Sequence, residues 1–570
     1  MRSGFVAALL LVGVAAAQAR EPAQAPVEVG RTFALGGTCR KILIAADQRH
    51  ALTVGSHGDL CWWDLERREV LRHVAPRERY VAQVALHPVR GMLAVSWTDG
   101  TSGAGSPGVV VVDLETGAAV EWSPGKFDKR QFDAAGRRLA ADSVADAAAA
   151  QEVMGLDVAA LLPDSDATEP PLGVDVSFVH DFYAARPATA RSFNGEHEAS
   201  IAGKYSLTCK LSLDGKAFVL PCPETWLEHF CVTDDGLAIA DDQQGQVHFV
   251  TPDGTMQLRA PHRGDALRLV FSPDSRHVAV HGLGAVRIVA LAGTEELRLQ
   301  GSHVALPGEA GGEFRIFERH RTWRFDAGSR REVGETATWQ EPSIPMLSSR
   351  PVSIYRAFAT TGLSSPWRTA VTAMIDGAPW FVGSAPTNKT YRWQGDGWTV
   401  TEQAGVMSEG ALLLHAHGDG ALLVCSRTNP SDDRTSSQVQ ELDAAGRKTW
   451  QWSTSGHCEW AVPDTGRARL WLGHGSEVLS IDLTERSVAS HRTERTWLAA
   501  DLLPDGSPFG SALLASDGAG LLLFDPDTFE ERHRWPNPDG WQSIDVLAVA
   551  PDGRHVAIAH RDDVRILRLP

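Results

Sequence analysis

The chain has 570 residues, of which 43% are hydrophobic and 22% charged, and this balance is typical of a folded globular protein rather than of a disordered one. Its 71 acidic and 54 basic residues give a formal net charge of -17. This charge argues against binding to nucleic acid or to anionic membranes, because both need an excess of Lys and Arg, and it favours basic or cationic partners. The length allows either several ordinary domains or two large repeat domains.

The chain begins with the pattern of an export signal. Arg2 supplies a short positive region, residues 5–17 are apolar, and residues 17–19 (Ala-Gln-Ala) fit the rule for a cleavage site. A run of about 13 apolar residues is too short to span a bilayer, which needs about 20. We therefore expect a cleaved signal peptide over residues 1–19. Because no lipid-anchor cysteine and no transmembrane segment follow it, we expect a mature protein in the periplasm or outside the cell.

The strongest pattern further along is an internal repeat of strand, turn and strand. Residues 269–280 and 547–558 are the clearest copies, each with a Pro-Asp turn between two apolar strands. Pro fixes φ at the first turn position, and Asp, Ser and Gly suit the others. Weaker copies lie at residues 47–50, 87–90, 134–137, 234–236, 418–420, 463–466 and 504–506. Neighbouring turns lie about 40 to 47 residues apart, the period of a four-stranded β-propeller blade.

Most turns are followed by a second signature, an apolar strand that ends in Asp and a polar hairpin. It is present at residues 60–65, 110–117, 479–483 and 522–527. The Asp can cap the hairpin by accepting backbone N–H bonds. The terminal strand at residues 564–569 has no repeat after it, so we expect it to close a ring by pairing with an earlier segment.

The repeats resemble two known kinds. Trp63-Asp64 and the turn at residues 272–274 (Ser-Pro-Asp) resemble WD40-like propeller repeats, although the Gly-His pair that usually opens such a repeat is missing before Trp63. Residues 442–450 and 112–117, the latter with Trp122, resemble PQQ-like (YVTN-type) repeats. The resemblance implies a β-propeller fold.

The repeat fades over residues 145–208 and 301–400, although residues 371–400 could form one more blade. The period predicts about 12 to 14 blades, and one ring closes with about 4 to 8, so two rings fit better than one. We therefore expect an all-β protein of tandem β-propellers built of four-stranded antiparallel blades, with an N-terminal propeller at residues 28–300 and a C-terminal propeller at residues 301–570. The stretch at 145–208 is interpreted as an insertion and the stretch at 301–400 as a junction.

Signatures of catalysis are absent. The chain lacks the G-x-S-x-G, H-E-x-x-H and P-loop motifs, so we predict no catalytic residue, no cofactor and no metal site. His415 and His417 would share one face of a strand and could hold a metal, but a polar blade rim explains them as well. His197 in the Gly-Glu-His-Glu segment lacks a second histidine, and acidic pairs such as Asp234-Asp235 lack the spacing of a calcium loop.

Two small groups of residues remain as candidates. Most of the 18 Trp residues are expected to pack between blades. The hairpin at residues 391–398, however, could present two indoles and a guanidinium, so its candidate ligand contacts are Tyr391, Arg392, Trp393 and Trp398. Cys209 and Cys222 flank a turn and could bridge a hairpin, whereas the chain has no C-x-x-C zinc spacing.

The sequence thus favours an exported, non-catalytic β-propeller scaffold that binds a protein or peptide partner on a loop face. One alternative is a propeller enzyme, such as a quinoprotein-like dehydrogenase, which the PQQ-like repeats suggest, or a glycan-active enzyme. A second alternative is a carbohydrate-binding protein that uses exposed Trp side chains. Because fold alone does not separate these functions, the arrangement of side chains has to decide.

Overall fold

A computed structural model describes residues 25–122 and 189–570, with gaps at turns and loops of which the longest are 99–107, 354–369 and 403–410. For the strands between residues 80 and 122 and between 343 and 402 it describes the backbone alone. The expected signal peptide at residues 1–19 lies outside the described residues.

The described residues fold into twelve antiparallel sheets, eleven with four strands and one with two. The strands of each sheet follow one another in chain order, except that β1 (Val27–Phe33) joins the last sheet. A 3-10 helix at Thr465–Arg467 is the one helix among the described residues. The expectation of an all-β chain of repeated four-stranded sheets is confirmed.

Sheets 1 to 6 cover residues 39–338. Sheet 1 contains β2 (Cys39–Ile44), β3 (His50–Gly55), β4 (Leu60–Asp64) and β5 (Glu69–Val74), and sheet 2 contains β6 (Tyr80–Leu86), β7 (Met92–Thr98), β8 (Gly108–Asp113) and β9 (Ala119–Trp122). Sheet 3 contains β10 (Thr189–Arg191), β11 (Glu198–Ala202), β12 (Thr208–Leu213) and β13 (Lys216–Pro223), and sheet 4 contains β14 (Leu227–Val232), β15 (Ala238–Asp242), β16 (Gln246–Thr251) and β17 (Gly254–Arg259). Sheet 5 contains β18 (Arg268–Phe271), β19 (His277–Gly282), β20 (Ala285–Ala290) and β21 (Glu295–Gln300), and sheet 6 contains β22 (Val304–Pro307), β23 (Glu313–Phe317), β24 (Arg321–Asp326) and β25 (Arg331–Thr338).

Sheets 7 to 12 complete the chain. Sheet 7 contains β26 (Ser343–Pro345) and β27 (Pro351–Ser353), and sheet 8 contains β28 (Ala370–Ile375), β29 (Ala378–Gly383), β30 (Lys389–Trp393) and β31 (Trp398–Glu402). Sheet 9 contains β32 (Ala411–His417), β33 (Gly420–Thr428), β34 (Thr435–Leu442) and β35 (Lys448–Ser455), and sheet 10 contains β36 (Trp460–Asp464), β37 (Arg469–His474), β38 (Glu477–Asp482) and β39 (Val488–Arg492). Sheet 11 contains β40 (Ala499–Leu503), β41 (Ala512–Ser516), β42 (Gly520–Phe524) and β43 (Glu531–Pro536), and sheet 12 contains β44 (Val546–Val549), β45 (His555–His560) and β46 (Asp563–Arg568) together with β1.

The Pro-Asp turns form hairpins as expected. Between β18 and β19 the turn closes through the amide of Ser275, which donates to the Ser272 carbonyl at 2.9 Å. The corresponding bond between β44 and β45 runs from Gly553 to Ala550, also at 2.9 Å. Both donors have a positive φ, 62° at Ser275 and 61° at Gly553, which explains why Gly or a small polar residue stands there.

The last strand closes a sheet with the first one. β46 pairs antiparallel with β1, from Val27 opposite Arg568 to Phe33 opposite Asp563. The guanidinium of Arg31 reaches the Asp563 carboxylate at 2.8 Å across this pair. The pairing with an earlier segment that was expected of the terminal strand at residues 564–569 is confirmed.

The apolar core lies in layers between the faces of neighbouring sheets. One layer joins sheets 11 and 12 and contains Leu503, Trp535 and Leu567, and another joins sheet 12 to sheet 5 and contains Phe271 and Ala557. Similar layers lie between sheets 5 and 6, 9 and 10, 10 and 11, 1 and 4, and 3 and 4. The first strands of neighbouring sheets also lie side by side, as β44 does with β40 and β18, and β14 with β2. Sheets stacked face to face with their first strands innermost form a β-propeller.

Candidate functional site

The most elaborate polar site lies where two separate segments pass each other, residues 34–37 and residues 260–266. We call this pair of segments the crossing. The amides of Gly36 and Gly37 both donate to the carbonyl of His262, at 2.9 and 3.2 Å, and the amide of Gly264 donates to Ala34 at 3.2 Å. The first segment leads from β1 to sheet 1, and the second leads from sheet 4 to sheet 5, so the crossing joins four sheets.

Glycine lets these backbones come so close. A Cβ on Gly37 would lie 1.7 Å from the carbonyl oxygen of Arg263, and one on Gly282 would lie 1.6 Å from that of Leu35. Real Cβ atoms do not approach a backbone oxygen this closely, so any other residue would push the segments apart.

A buried carboxylate anchors the crossing to sheet 1. One oxygen of Asp59, Oδ2, lies 2.7 Å from Nε2 of His73 and 3.0 Å from Nδ1 of His262, and it accepts the backbone amide of Arg263 at 2.8 Å. Asp59 and His262 are both completely buried. The carboxylate therefore has three donors, one from its own sheet and two from the crossing.

The other nitrogen of His262 continues the network into the core of sheet 1. Its Nε2 lies 2.9 Å from the hydroxyl of Thr53 in β3, and the same hydroxyl accepts the indole N–H of Trp63 in β4 at 2.9 Å. Trp63 is almost completely buried. A chain of hydrogen bonds thus runs from Asp59 through His262 and Thr53 to Trp63, whereas the other Asp59 oxygen, Oδ1, is buried without a hydrogen-bond partner in the structure.

Both charges of the central pair are favoured. Burial by itself raises the pKa of Asp59, but the neighbouring His262 and His73 outweigh it and hold that pKa well below its usual range. Burial by itself lowers the pKa of His262, but the charge of the Asp59 carboxylate and the hydrogen bond to it outweigh burial and raise that pKa well above its usual value. Both shifts favour the charged forms, an ionised Asp59 beside a protonated His262.

A metal ion is the alternative use of this site. Donor atoms of Asp59, Cys61 and His73 lie within 4.8 Å of one another. Two ligands of a tetrahedral zinc ion stand about 3.3 Å apart or more, whereas Asp59 and His73 are separated by 2.7 Å, and burial raises the pKa of the Cys61 thiol. The donors therefore fit hydrogen bonding, and they do not fit a metal centre.

Charged side chains tie the crossing to the sheets on its outer side. His57 of sheet 1 lies 2.9 Å from the Asp265 carboxylate, and the guanidinium of Arg263 lies 3.3 Å from Asp562 at the end of sheet 12. Burial alone lowers the pKa of His57. Its hydrogen bond to Asp265 and the charges of the nearby carboxylates outweigh burial, so the pKa is raised. Both contacts join residues far apart in sequence.

An aromatic ring holds the start of the first segment. The guanidinium carbons of Arg263 and Arg287 lie 4.4 and 4.1 Å from the centre of the Phe33 ring. Arg287 also donates to the Phe33 carbonyl at 2.7 Å and to the Thr32 hydroxyl at 2.8 Å. Cation–π contacts of this kind are strongest away from water. Arg287 of sheet 5 therefore holds the last residues of β1 in place through its ring contact and its hydrogen bonds.

A half-buried carboxylate joins two innermost strands. Asp501 in β40 accepts the amide of Val549 in β44 at 2.7 Å and that of Leu502 at 2.8 Å. Burial raises the pKa of Asp501 to about 6, despite these two bonds. This carboxylate links sheets 11 and 12 at their inner edges.

The hairpin predicted to present aromatic side chains is present in the backbone. Tyr391, Arg392 and Trp393 lie in β30, and Trp398 is the first residue of β31. The two strands pair with Trp393 directly opposite Trp398. Their side chains lie outside the described part of the chain, so ligand contact by these four residues stays a prediction.

The candidate cysteines also lie on neighbouring strands. Cys209 is in β12 and Cys222 in β13, between the paired positions Thr208↔Pro223 and Lys210↔Val219. Their side chains lie outside the described atoms, so the disulfide stays a prediction. His415 and His417 in β32 belong to no cluster of three metal-binding groups within the described residues.

Sequence reasoning missed the crossing and its central histidine. His262 lies 209 residues from Thr53, and in sequence it stands just before β18, where it would be assigned to the repeat of sheet 5. Sheet 1 lacks a Gly-His pair before Trp63, and the histidine that contacts Thr53 and Asp59 comes instead from the segment that follows sheet 4. The sequence offers one signal for this site: His262 stands between the last strand of one repeat and the first strand of the next.

The stacked four-stranded sheets, the closure of sheet 12 by β1 and the paired turns define an all-β protein built of repeated, propeller-like sheets. No family model matches the chain, and no curated protein matches it. Among solved structures, a chain in the crystal structure of the mitotic checkpoint complex is 12% identical, with 53% of this chain and 88% of that chain covered and a TM-score of 0.37. The C-terminal WD40 domain of Sif2 is 11% identical, with 59% and 93% covered and a TM-score of 0.36. No helix among the described residues is long and apolar enough to cross a membrane.

Proposed function

We propose that this protein is an exported, non-catalytic scaffold that binds a protein or peptide partner on two propeller rings held as one body. The observation that carries the proposal is the crossing, where the ion pair of Asp59 and His262 is completely buried. A site that uses its buried polar groups to hold two segments together supports a structural task.

The contacts between sheets support two rings. β14 and β15 of sheet 4 lie against β2 of sheet 1, so the chain returns to its starting point after sheet 4. β44 of sheet 12 lies against β18 of sheet 5, and β1 completes sheet 12. We therefore place one ring at residues 39–259 and the other at residues 268–570 together with β1. This boundary, at residues 260–267, lies earlier than the one expected at residue 300.

Rigidity has a clear use in a binding scaffold. A partner that contacts a preorganised surface does not have to supply the free energy for ordering that surface. The net charge of -17 attracts basic partners over long range. Together these properties suit the capture of a cationic protein or peptide.

Crosslinking of the purified protein to proteins of the compartment that contains it, followed by mass spectrometry, tests the proposal. We expect a reproducible partner whose crosslinks fall on one face or edge of the rings, and direct binding of that partner once purified. Failure to find a partner, together with measurable turnover of a quinone-dependent or glycan substrate, would overturn it.

A further inference from the structure

The first strands of sheets 5 to 12 carry a single basic side chain other than histidine. These strands are the innermost ones of their sheets, as β18 lies side by side with β44 and with β22, and the innermost strands of a propeller surround its central channel. Arg268, the first residue of β18, is the one Lys or Arg on the described first strands of these eight sheets. A lone guanidinium at this place needs a physical reason.

Arg268 lies in a recess that water can enter. Its side chain is exposed to solvent, yet burial lowers the pKa of its guanidinium. The two observations agree when solvent reaches a side chain that protein otherwise surrounds, as it does in the central opening of a ring. An arginine keeps its proton in a protein. The recess therefore holds a permanent positive charge.

This charge has no counterion within the described part of the chain. Arg268 makes no hydrogen bond or ion pair there, and no carboxylate offsets the effect of burial on its pKa. The two carboxylates on the first strands of sheets 5 to 12 are engaged elsewhere, since Asp464 pairs with an arginine of its own turn at 3.3 Å and Asp501 accepts two backbone amides. Asp265, three residues before Arg268, lies 2.9 Å from His57. A charge that is partly removed from water and left unpaired destabilises the fold.

The side chain beside Arg268 is a neutral histidine. His281 in β19 stands directly opposite Arg268 in the strand pair. Burial, together with the charge of Arg268, lowers the pKa of His281 to about 3, and its Nε2 lies 3.1 Å from the carbonyl oxygen of Ala305. The imidazole therefore adds no charge at neutral pH, and the guanidinium donors of Arg268 remain available.

We propose that Arg268 binds a small oxyanion, a carboxylate or a phosphate, in the central opening of the proposed ring at residues 268–570. The planar guanidinium fork matches two oxygens of either group. The net charge of -17 repels anions at a distance, so binding depends on this local contact. The site lies on an inner strand and goes beyond the scaffold function, which does not use it.

Thermal unfolding in sodium phosphate and in sodium acetate tests the proposal, with sodium chloride at the same ionic strength as the reference. A ligand that binds only the folded protein raises the melting temperature as its concentration rises. We expect phosphate or acetate to raise the melting temperature above that in chloride, and the salt that does so identifies the chemistry of the ligand. No rise with either salt would overturn the proposal.

Protein variants separate this site from a general salt effect, because phosphate also stabilises proteins by its exclusion from their surface. Arg268→Gln removes the guanidinium and should abolish the rise. Arg276→Gln makes the same change of charge at an exposed turn position of the same sheet, and it should keep the rise. Equal rises in the two variants would contradict the assignment to Arg268. Arg268→Lys keeps the charge without the fork, so its rise should be smaller than that of the unmodified protein.

The same variants test whether Arg268 is needed for folding alone. In chloride, Arg268→Gln should unfold at the same temperature as the unmodified protein or above it, because it removes a charge that has no counterion. A marked loss of stability in chloride would show that the guanidinium has a structural task and would overturn the proposal.

A crystal structure in the salt that stabilises the protein locates the anion. We expect an oxyanion within hydrogen-bond distance of the Arg268 guanidinium, and none at that place in crystals of Arg268→Gln. Water alone at Arg268 in the unmodified protein would overturn the assignment. Neither result bears on the scaffold function, which the crosslinking experiment tests separately.

Discussion

Asp59 and His262 depend on each other because neither is exposed to water. In the variant His262→Ala the carboxylate stays buried and loses a charged donor, so we expect the free energy of unfolding to fall by about 3 kcal/mol. Urea unfolding followed by tryptophan fluorescence measures the change. His50→Ala is the control, because His50 is partly exposed and pairs with Asp47 in a turn at 2.6 Å. His50→Ala should lower the free energy of unfolding by less than about 1 kcal/mol. Similar losses in the two variants would show that burial of the Asp59–His262 pair does not determine its contribution.

The same pair makes stability depend on pH in a defined way. The pKa of Asp59 is lowered, so its contribution is present above about pH 4 and is lost as the pH falls through the lowered pKa. The pKa of His262 is raised, so its contribution is present below about pH 6.5 and is lost as the pH rises through the raised pKa. Melting temperatures from pH 5 to pH 10 should therefore decline on the alkaline side. The decline should be smaller in His262→Ala, and parallel curves would disprove the assignment.

Asp501 has the opposite effect on stability. Its pKa is raised to about 6, so the folded state binds more protons than the unfolded state between about pH 4 and pH 6, and stability falls as the pH rises through that range. Asp501→Asn removes the charge and should stabilise the protein at pH 7 by about 2 kcal/mol, reduced by the weaker hydrogen bond to Val549. It should also flatten the dependence between pH 4 and pH 6, as thermal unfolding at several pH values can show. A variant that is less stable at pH 7 would show that the bond outweighs the burial of charge.

The crossing should be destabilised by the addition of a single methyl group. In Gly37→Ala the new Cβ would lie 1.7 Å from the Arg263 carbonyl oxygen, so the two segments must separate, at a cost of at least about 2 kcal/mol. We expect calorimetry to show two unfolding transitions in place of one as the two proposed rings lose their coupling. Gly254→Ala is the matched control, since no atom lies within 4 Å of its Cβ position. An unchanged single transition in Gly37→Ala would show that the crossing does not couple the rings.

The repeating hairpins could be predicted because their signals are local. Pro273 and Asp274 specify their turn within four residues, and the same is true of Pro551 and Asp552. The blade expected at residues 371–400 is confirmed as sheet 8, from Ala370 to Glu402. The repeat fades in the sequence of this stretch because its turn signals are weak, although the four-stranded sheets continue through it.

The crossing could not be predicted because its contacts depend on the order of sheets in space. Asp59 and His262 are 203 residues apart, and they meet only because sheet 4 packs beside sheet 1. Nothing near Trp63 in the sequence indicates which histidine will reach Thr53. The candidate site residues that the sequence did offer, Tyr391 to Trp398, were chosen by composition, which does not report spatial neighbours.

At the scale of the whole molecule, we expect deletion of the strand β1 to lower stability more than the loss of any single side chain. Deleting residues 27–33 removes the closing strand of sheet 12 and the ion pair of Arg31 with Asp563. It also leaves the edge of β46 bare, so we expect a lower melting temperature and aggregation visible by light scattering. Deletion of residues 20–25, which precede the strand, is the control and should have little effect. A fully stable, monodisperse deletion of β1 would contradict its closing role.

The pairing of β1 with β46 also sets the order of events during biogenesis. During synthesis β1 emerges before the intervening sheets and β46 emerges after them, so β1 waits unpaired while those sheets form. Contacts between such distant parts of a chain form slowly, because the long loop between them has to close first. Sheet 12 therefore becomes stable only after β46 has been made, and a chain that stops before β46 carries an unpaired β1 that promotes aggregation.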